Sequence, residues 1–358
     1  MTTPEDAFHL LADLFTSRGN EVLDIDTTLS TQESQFIKHG TSIAVTKKCL
    51  VQAFTVARQL FIKHLMPMTS TDFEAEVSNS NQYTELKVPK QTITEVMLLF
   101  DSEHLTACNW RKKWLLAAIS RCNETNQQAT SSPEEMLETE LTLMQTYQGS
   151  PLSRHTKSPT LWSHRLWVLD VLTRMRRPTV SNLLKLERAE LDIVLRAGVL
   201  HPKNFYAFTY MRNLHSHIAD ISKDQGDSDA DADAGQMEGA AANLVDPTLT
   251  WCLSHPRDIS GWMFAMYLLD QSADADVRSG TVRRVLQFAL KIGWEGESLW
   301  TFIDQATRQF GLESVISETF SDGTGPSRSL PKWPWRNRLS QAQAYWAAAA
   351  SGARDDQP

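Results

Sequence analysis

The sequence predicts an all-α fold built from stacked helix pairs, an α-solenoid. Apolar residues recur at mixed three- and four-residue steps along most of the 358 residues, as in amphipathic helices. A short motif also recurs at intervals typical of helical-pair repeats. Strand-like alternation is scarce, with residues 22–28 and 84–88 its only candidates. Stacked helical arrays usually act by binding a partner, so this fold class favours a partner-dependent function.

The recurring motif is clearest at residues 157–165, which read Lys-Ser-Pro-Thr-Leu-Trp-Ser-His-Arg. Its tryptophan defines an anchor position, numbered here through repeats one to five: Cys108, Trp162, Phe208, Trp262 and Trp300. These positions lie 54, 46, 54 and 38 residues apart. An aromatic anchor would project onto a neighbouring helix, where burial of one ring contributes on the order of 2–3 kcal/mol. The sequence therefore predicts that the aromatic anchors are packing residues.

Each copy of the motif is predicted to open a second helix. Ser158, Asn204 and Asp258 are placed to act as N-caps. The His-Pro pairs at 201–202 and 255–256 suggest a proline in the first helical turn.

A repeat arginine one turn after the anchor is expected to reach the preceding helix. Arg165 occupies this position in repeat two, and Glu140 or Glu190 offers it a carboxylate. The position is not filled throughout, because repeats three to five have Met211, Ala265 and Ile303 there. We therefore expect only part of an ion-pair ladder between repeats.

The helical period predicts three amphipathic stretches with some detail. Residues 33–65 read as one helix or a helix pair, residues 181–197 as a helix that stops at Gly198, and residues 276–292 as another helix.

The domain organisation follows from the extent of the motif. Residues 1–100 are predicted to form an N-terminal helical region, 101–312 five helical repeats, and 313–358 a linker and an Ala-rich C-terminal helix. The acidic insert 223–240 is predicted to be disordered, because it has no large aliphatic residues to bury. A calcium site there is disfavoured, since the glycine and terminal glutamate of an EF-hand are missing.

The composition excludes several classes of protein. The net charge of −8 disfavours nucleic acid as a partner. The four cysteines show no metal-finger spacing, so we expect reduced thiols in a cytosolic or nuclear protein. No apolar run reaches the ~20 residues of a membrane span, and the N-terminus lacks the basic region of a signal peptide. We therefore predict a cytoplasmic protein.

At these motifs the chain resembles the protein prenyltransferase α-subunit family, over roughly residues 100–310. That family's repeat has an acidic-Leu helix, a Pro-Lys-Asn-Tyr loop and a Trp-His-x-Arg helix. Its pattern is matched at Glu190-Leu191 with residues 201–208, at residues 157–165, at 105–112 and at 297–302. The resemblance implies a right-handed superhelical crescent. It also implies a β subunit of the Rab geranylgeranyltransferase type as partner, which would hold the zinc and most of the isoprenoid pocket.

The resemblance also implies site residues. Lys157 falls on the lysine that reaches the diphosphate in the family, and Lys203 is its equivalent in the next repeat. The following tyrosine position holds Pro159 and Phe205, although Tyr206 is adjacent. A lysine there would neutralise charge on the departing diphosphate of the prenyl co-substrate. The bland alternative is a solvated loop lysine.

No self-contained active site is visible in the sequence. His215 and His217 would lie on different helix faces, which argues against a metal pair. We expect no metal or cofactor in this chain itself.

The leading hypothesis is the α subunit of a heterodimeric protein prenyltransferase, inactive alone, that transfers a geranylgeranyl group to a cysteine of a substrate protein. The alternative is a non-catalytic helical-repeat scaffold. A tetratricopeptide-type array fits the repeat signature less well.

Overall fold

The computed structural model describes residues 3–28, 36–78, 88–124, 132–224 and 239–321, together with Ala344. The chain divides into two compact units. Unit 1 contains Met1–Pro178 and Asp192–Tyr210, and unit 2 contains Thr179–Leu191 and Met211–Pro358.

The described residues are mostly helical, which confirms the expected helical class. The solenoid arrangement of the helix pairs stays a prediction. The helices are α1 (Pro4–Ser17), α2 (Lys47–Leu60), α3 (Ser70–Ser78), α4 (Lys90–Phe100), α5 (Leu105–Glu124), α6 (Pro133–Gly149), α7 (Ser153–Thr156), α8 (Pro159–Arg176), α9 (Val180–Leu200), α10 (Phe205–Asp224), α11 (Ala240–Ser254), α12 (Ile259–Gln271), α13 (Ala275–Ile292), α14 (Glu297–Phe310) and α15 (Glu313–Ser321). A short π-helical segment, Phe61–Leu65, continues α2.

A small sheet interrupts the N-terminal helices. Its strands are β1 (Asp24–Thr28), β2 (Phe36–His39) and β3 (Ser42–Thr46), in the order β1-β3-β2. β3 pairs in parallel with β1 and antiparallel with β2.

The sheet corrects the expectation that residues 33–65 are helical throughout. The first part forms β2 and β3, and the helix begins only at Lys47. In β3, Ile43 and Val45 are buried while the residues that alternate with them are more exposed, a strand period that the broader helical pattern hid. The strand candidate at 22–28 is confirmed by β1, and most of the candidate at 84–88 lies outside the described residues.

Thr146 of α6 and Ser150, the residue just after α6, hydrogen-bond to the chain at one edge of this sheet. The backbone N–H of Leu23 donates to Thr146 Oγ1 at 3.0 Å, and that of Ile25 donates to Ser150 Oγ at 2.9 Å. An exposed strand edge would present these groups to other chains. The contacts therefore fix the N-terminal region onto α6 within unit 1.

Two helix predictions can be compared with the structure directly. The stretch 276–292 is confirmed by α13, which ends at Ile292 and is capped by Gly293 with φ 65°. The stretch 181–197 is confirmed by α9, but the predicted stop at Gly198 is wrong. The helix runs on to Leu200, and the N–H of His201 still donates to the Ala197 carbonyl at 3.0 Å. Gly198 has no positive φ, so it does not act as a C-terminal cap.

The acidic insert 223–240 is predicted to be disordered. Its residues 225–238 lie outside the described part of the chain, so the disorder stays a prediction. The C-terminal linker beyond residue 321 and the Ala-rich helix predicted from about residue 340 lie outside it as well, apart from Ala344.

Candidate functional site

The five anchor residues occupy the same place in five helices. Each is the fourth residue of its helix, in α5, α8, α10, α12 and α14 respectively. All five side chains are buried: Cys108, Trp162, Phe208, Trp262 and Trp300. The register found in the sequence is thus also a register of helix starts.

The three tryptophan anchors make the same hydrogen bond. Each indole Nε1 donates to the carbonyl oxygen six residues earlier in the chain, in the segment just before its helix. The distances are 2.8 Å from Trp162 to Thr156, 3.1 Å from Trp262 to Pro256 and 2.8 Å from Trp300 to Trp294. The ring therefore packs in the core while its N–H fixes its own loop.

Two anchor rings pack against an aromatic ring of the next repeat. Trp162 lies 4.9 Å from Tyr210, and Trp262 lies 5.0 Å from Phe302, measured between ring centroids. Tyr210 and Phe302 each stand two residues after an anchor. Sequence reasoning missed this second position, although four repeats carry an aromatic residue there: Trp110, Tyr210, Phe264 and Phe302.

The helix N-caps also join successive loops. Ser158 Oγ accepts from the N–H of Leu161 and donates to the Ser102 carbonyl at 3.0 Å. Asn204 Oδ1 accepts from the N–H of Ala207, and its Nδ2 donates to the Thr156 carbonyl at 2.7 Å.

The three predicted N-caps are confirmed, since Asp258 also accepts from two N–H groups of α12. The expectation for the prolines is wrong. Pro202 and Pro256 lie ahead of the caps Asn204 and Asp258, so they belong to the loops and not to the first turn.

Lys157 and Lys203 lie in two loops that the structure brings together. Lys157 stands between α7 and α8, and its Nζ donates to the Pro202 carbonyl at 3.1 Å. Lys203 is exposed and has φ 59°, a left-handed conformation that is strained for a lysine. The Lys157 side chain therefore ends beside the loop that carries Lys203.

Two aromatic residues follow this loop at the start of α10. Phe205 is 61% exposed and Tyr206 is 44% exposed, and their rings meet edge to face at 5.8 Å. Burial lowers the pKa of His201, and the positive charge of Lys157 lowers it further. We refer to Lys157, His201, Lys203, Phe205 and Tyr206 as the Lys157 surface.

The repeat arginines differ from one another in their partners. Arg111, the repeat-one arginine, donates from Nε to Glu140 Oε1 at 2.8 Å and contacts Oε2 through Nη2. Arg165, of repeat two, donates to the Leu141 carbonyl at 3.0 Å. The repeat-three to repeat-five positions Met211, Ala265 and Ile303 are buried and apolar.

Glu140 also accepts from His164 Nε2 at 2.7 Å. Burial alone would raise the pKa of Glu140, but the charge and hydrogen bonds of Arg111, with those of His164, hold this pKa well below its usual range. Burial lowers the pKa of His164 despite its bond to Glu140. The cluster is fully buried, so its role is structural.

Of the two histidines considered as a metal pair, His215 has a carboxylate partner. His215 Nδ1 lies 2.5 Å from Glu187 Oε1, and both residues are buried. Among the described residues, no group of three or more His, Cys, Asp or Glu side chains could hold a metal ion. In the same ranges, no helix combines the length and apolar character needed to cross a bilayer.

Comparison with known proteins gives one informative similarity. No family model matches the chain. The chain is similar to protein prenyltransferase alpha subunit repeat-containing protein 1 of Danio rerio, with 26% identity over 195 residues. The match covers 49% of this chain and 37% of that relative, so the chain spans well under half of its length. The name of this relative thus refers to the same type of repeat that the sequence motifs resemble.

Proposed function

We propose that the chain is the α-type subunit of a heterodimeric protein prenyltransferase, working in the cytoplasm with a separate zinc-bearing β subunit. The proposed reaction forms a thioether between a cysteine of a substrate protein and the geranylgeranyl group of geranylgeranyl diphosphate, and inorganic diphosphate leaves. Zinc bound in the partner would supply activation of the thiol. This chain would supply binding surface and positive charge.

The observation that carries the proposal is the Lys157 surface. Lys157 and Lys203 come from consecutive repeats and lie in adjoining loops. A lysine ammonium has three donors, so Lys157 can hold the Pro202 carbonyl and still offer donors to a phosphate oxygen. The name of the similar protein, with its prenyltransferase α-subunit repeats, supports the same function.

In the proposed complex the two lysines act electrostatically. Lys157 would place positive charge beside the diphosphate, where negative charge grows as the carbon–oxygen bond breaks. Its bond to Pro202 limits the freedom of its ammonium, so little reorganisation is needed in the transition state. Lys203 and the phenol of Tyr206 would contact the co-substrate from the next loop.

Co-expression with candidate zinc-bearing β subunits tests the proposal, with transfer of labelled geranylgeranyl to an acceptor protein as the readout. We expect a stable complex that turns over. Lys157→Glu is expected to lower turnover roughly a hundredfold, the scale seen when one electrostatic donor is lost. Lys113→Glu changes the charge equally at an exposed position of α5 and is the matched control. Absence of both complex and activity with every β subunit would refute the proposal.

The second candidate is a non-catalytic scaffold that binds other proteins. The buried apolar residues Met211, Ala265 and Ile303 favour it, because they replace the repeat arginines in three of the five repeats. Under this function Lys157→Glu leaves partner binding unchanged and there is no turnover to lose.

A further inference from the structure

The outward face of α2 and of the π-helical segment is positively charged, although the chain as a whole is negatively charged. Residues 47–71 contain no aspartate or glutamate, whereas the whole chain has a net charge of −8. The cations on this face are exposed: Lys47, Lys48, Arg58 and Lys63. Among the described residues, none forms an ion pair with Lys47, Lys48 or Arg58.

Three large aliphatic side chains are exposed on the same face. Val51 is 49%, Ile62 48% and Met66 63% exposed. They are separated by eleven and four residues, which a helix brings onto one side. We refer to these three residues and the four cations as the basic face.

The opposite side of this helix is committed to the core of unit 1. Buried residues line it along its whole length: Cys49, Leu50, Ala53, Ala57, Phe61 and Leu65. The helix is therefore held on the body of unit 1 by these buried residues. The exposed aliphatic row takes no part in this packing and forms a second apolar stripe.

Cations and aliphatic residues alternate along the row. Lys47 precedes Val51 by four residues, Arg58 precedes Ile62 by four and Lys63 precedes Met66 by three. Each aliphatic side chain therefore has a cation about one turn before it. Lysine and arginine can lay their methylene stems along apolar surface and keep the charge at its boundary. A partner must therefore offer anionic groups to the cations and, at the same depth, an apolar region that buries the aliphatic side chains.

Anionic lipid satisfies both requirements better than other polyanions. Nucleic acid is held by phosphate contacts and read by polar groups, and three aliphatic side chains contribute nothing to either. A bilayer surface takes lysine and arginine at its headgroups and aliphatic side chains at the acyl boundary.

We propose that the basic face docks the protein on membrane surfaces rich in anionic phospholipid. Lys47, Lys48 and Arg58 lie at the level of the lipid phosphates, and Val51, Ile62 and Met66 enter the outer acyl region.

The test is co-sedimentation of the full chain with vesicles of phosphatidylcholine, with or without phosphatidylserine. Binding is expected with phosphatidylserine and is weakened by salt, which screens the charges. Each cation near such a surface contributes about fivefold to the partition coefficient. The triple variant Lys47→Glu, Lys48→Glu, Arg58→Glu is therefore expected to bind at least a hundredfold more weakly, by the same estimate for three charges.

Two further variants make the test specific. Ile62→Ser with Met66→Ser keeps every charge and is expected to lower binding about tenfold, because the aliphatic contribution is lost. The control Lys113→Glu, Lys185→Glu, Lys291→Glu changes the same number of exposed cationic residues elsewhere and should bind as the unaltered chain does. Circular dichroism confirms that each variant is folded.

Three results would overturn the proposal. The unaltered chain stays in the supernatant with phosphatidylserine vesicles, or the control triple loses binding as the basic-face triple does. The third is that the aliphatic double variant binds the vesicles normally, which would mean that this face recognises negative charge alone, as any polyanion offers it.

Discussion

Arg111 and Glu140 form a buried two-point ion pair that joins α5 to α6. The Arg111 Nε to Glu140 Oε1 distance is 2.8 Å, and the second contact joins Nη2 to Oε2. Both side chains are almost fully excluded from solvent. The pair also fixes the first repeat to the second, because His164 of α8 donates to the same carboxylate.

Removing one partner of this pair should be strongly destabilising. Glu140→Gln leaves the buried Arg111 guanidinium with only its longer contact to Glu95 Oε1, at 3.4 Å, as a counter-charge. We therefore expect the free energy of unfolding to fall by about 3 kcal/mol, the lower end of the range for a broken buried pair. Urea unfolding, followed by circular dichroism, measures the loss. The control is Glu318→Gln, which breaks the exposed Arg283–Glu318 pair and should cost below about 1 kcal/mol. Equal losses from the two variants would contradict a structural role for the buried pair.

The same cluster makes stability depend on pH. Burial lowers the pKa of His164 below its ordinary 6.5, so the unfolded chain takes up this proton first. Stability should therefore fall as the pH drops below about 6.5, by at most about 1.4 kcal/mol per pH unit for one proton. Glu140, with its lowered pKa, stabilises the fold above its unfolded value of about 4.5 and loses that contribution in more acidic solution.

Urea titrations at a series of pH values separate the two groups. His164→Gln keeps a donor for Glu140 but cannot titrate, so its stability should change less between pH 6.5 and the lowered pKa of the histidine. An unchanged slope would mean that another group controls this range. His155 is the main competitor, since burial lowers its pKa as well.

Two helical glycines of unit 2 should respond oppositely to alanine. A Cβ at Gly261 would stand 2.5 Å from a ring carbon of Trp251, whereas at Gly280 it meets nothing within 4 Å. Gly261→Ala is expected to destabilise by about 1–3 kcal/mol through overpacking. Gly280→Ala is expected to stabilise by about 0.5–1 kcal/mol, because alanine is the better helix former. Thermal unfolding of the two variants measures the change in Tm. Changes of the same sign would contradict the close packing of Gly261 against Trp251.

Asn204 should reveal how much the link between loops contributes. Asn204→Ser keeps a helix cap but is too short to reach the Thr156 carbonyl, and we expect a loss of about 1 kcal/mol. Asn204→Ala removes the cap as well, with a further loss of about 1 kcal/mol. Unfolding midpoints of the two variants measure this order. If serine costs as much as alanine, the cap contributes nothing and the link between loops accounts for the whole effect.

Features that depend on neighbouring residues or on a repeating pattern could be predicted from the sequence. The anchors were found because an aromatic side chain recurs at the same point of a motif, and the caps Ser158, Asn204 and Asp258 because cap chemistry depends on near neighbours. The pairing of β1 with β3 was not predictable, since it joins segments separated by a third strand.

The candidate site was predictable in part for a similar reason. Lys157 and Lys203 were chosen by register with the family that the motif resembles. The bond from Lys157 to the Pro202 carbonyl depends on how two loops lie side by side, and no local pattern encodes it. The partnership of Glu140 with Arg111 was not predicted, because the carboxylate was expected on the helix before the arginine, whereas α6 follows the helix that carries Arg111.

The indole hydrogen bonds couple the interior of a repeat to the geometry of its loop. Trp162 holds the Thr156 carbonyl, one residue before Lys157, and Asn204 of the following loop donates to that same oxygen. The Thr156 carbonyl oxygen thus accepts one hydrogen bond from a core tryptophan and one from the adjacent repeat. Substitutions at Trp162 are therefore expected to displace Lys157 as well as to open a cavity, so the packing of the core and the position of this surface lysine are coupled.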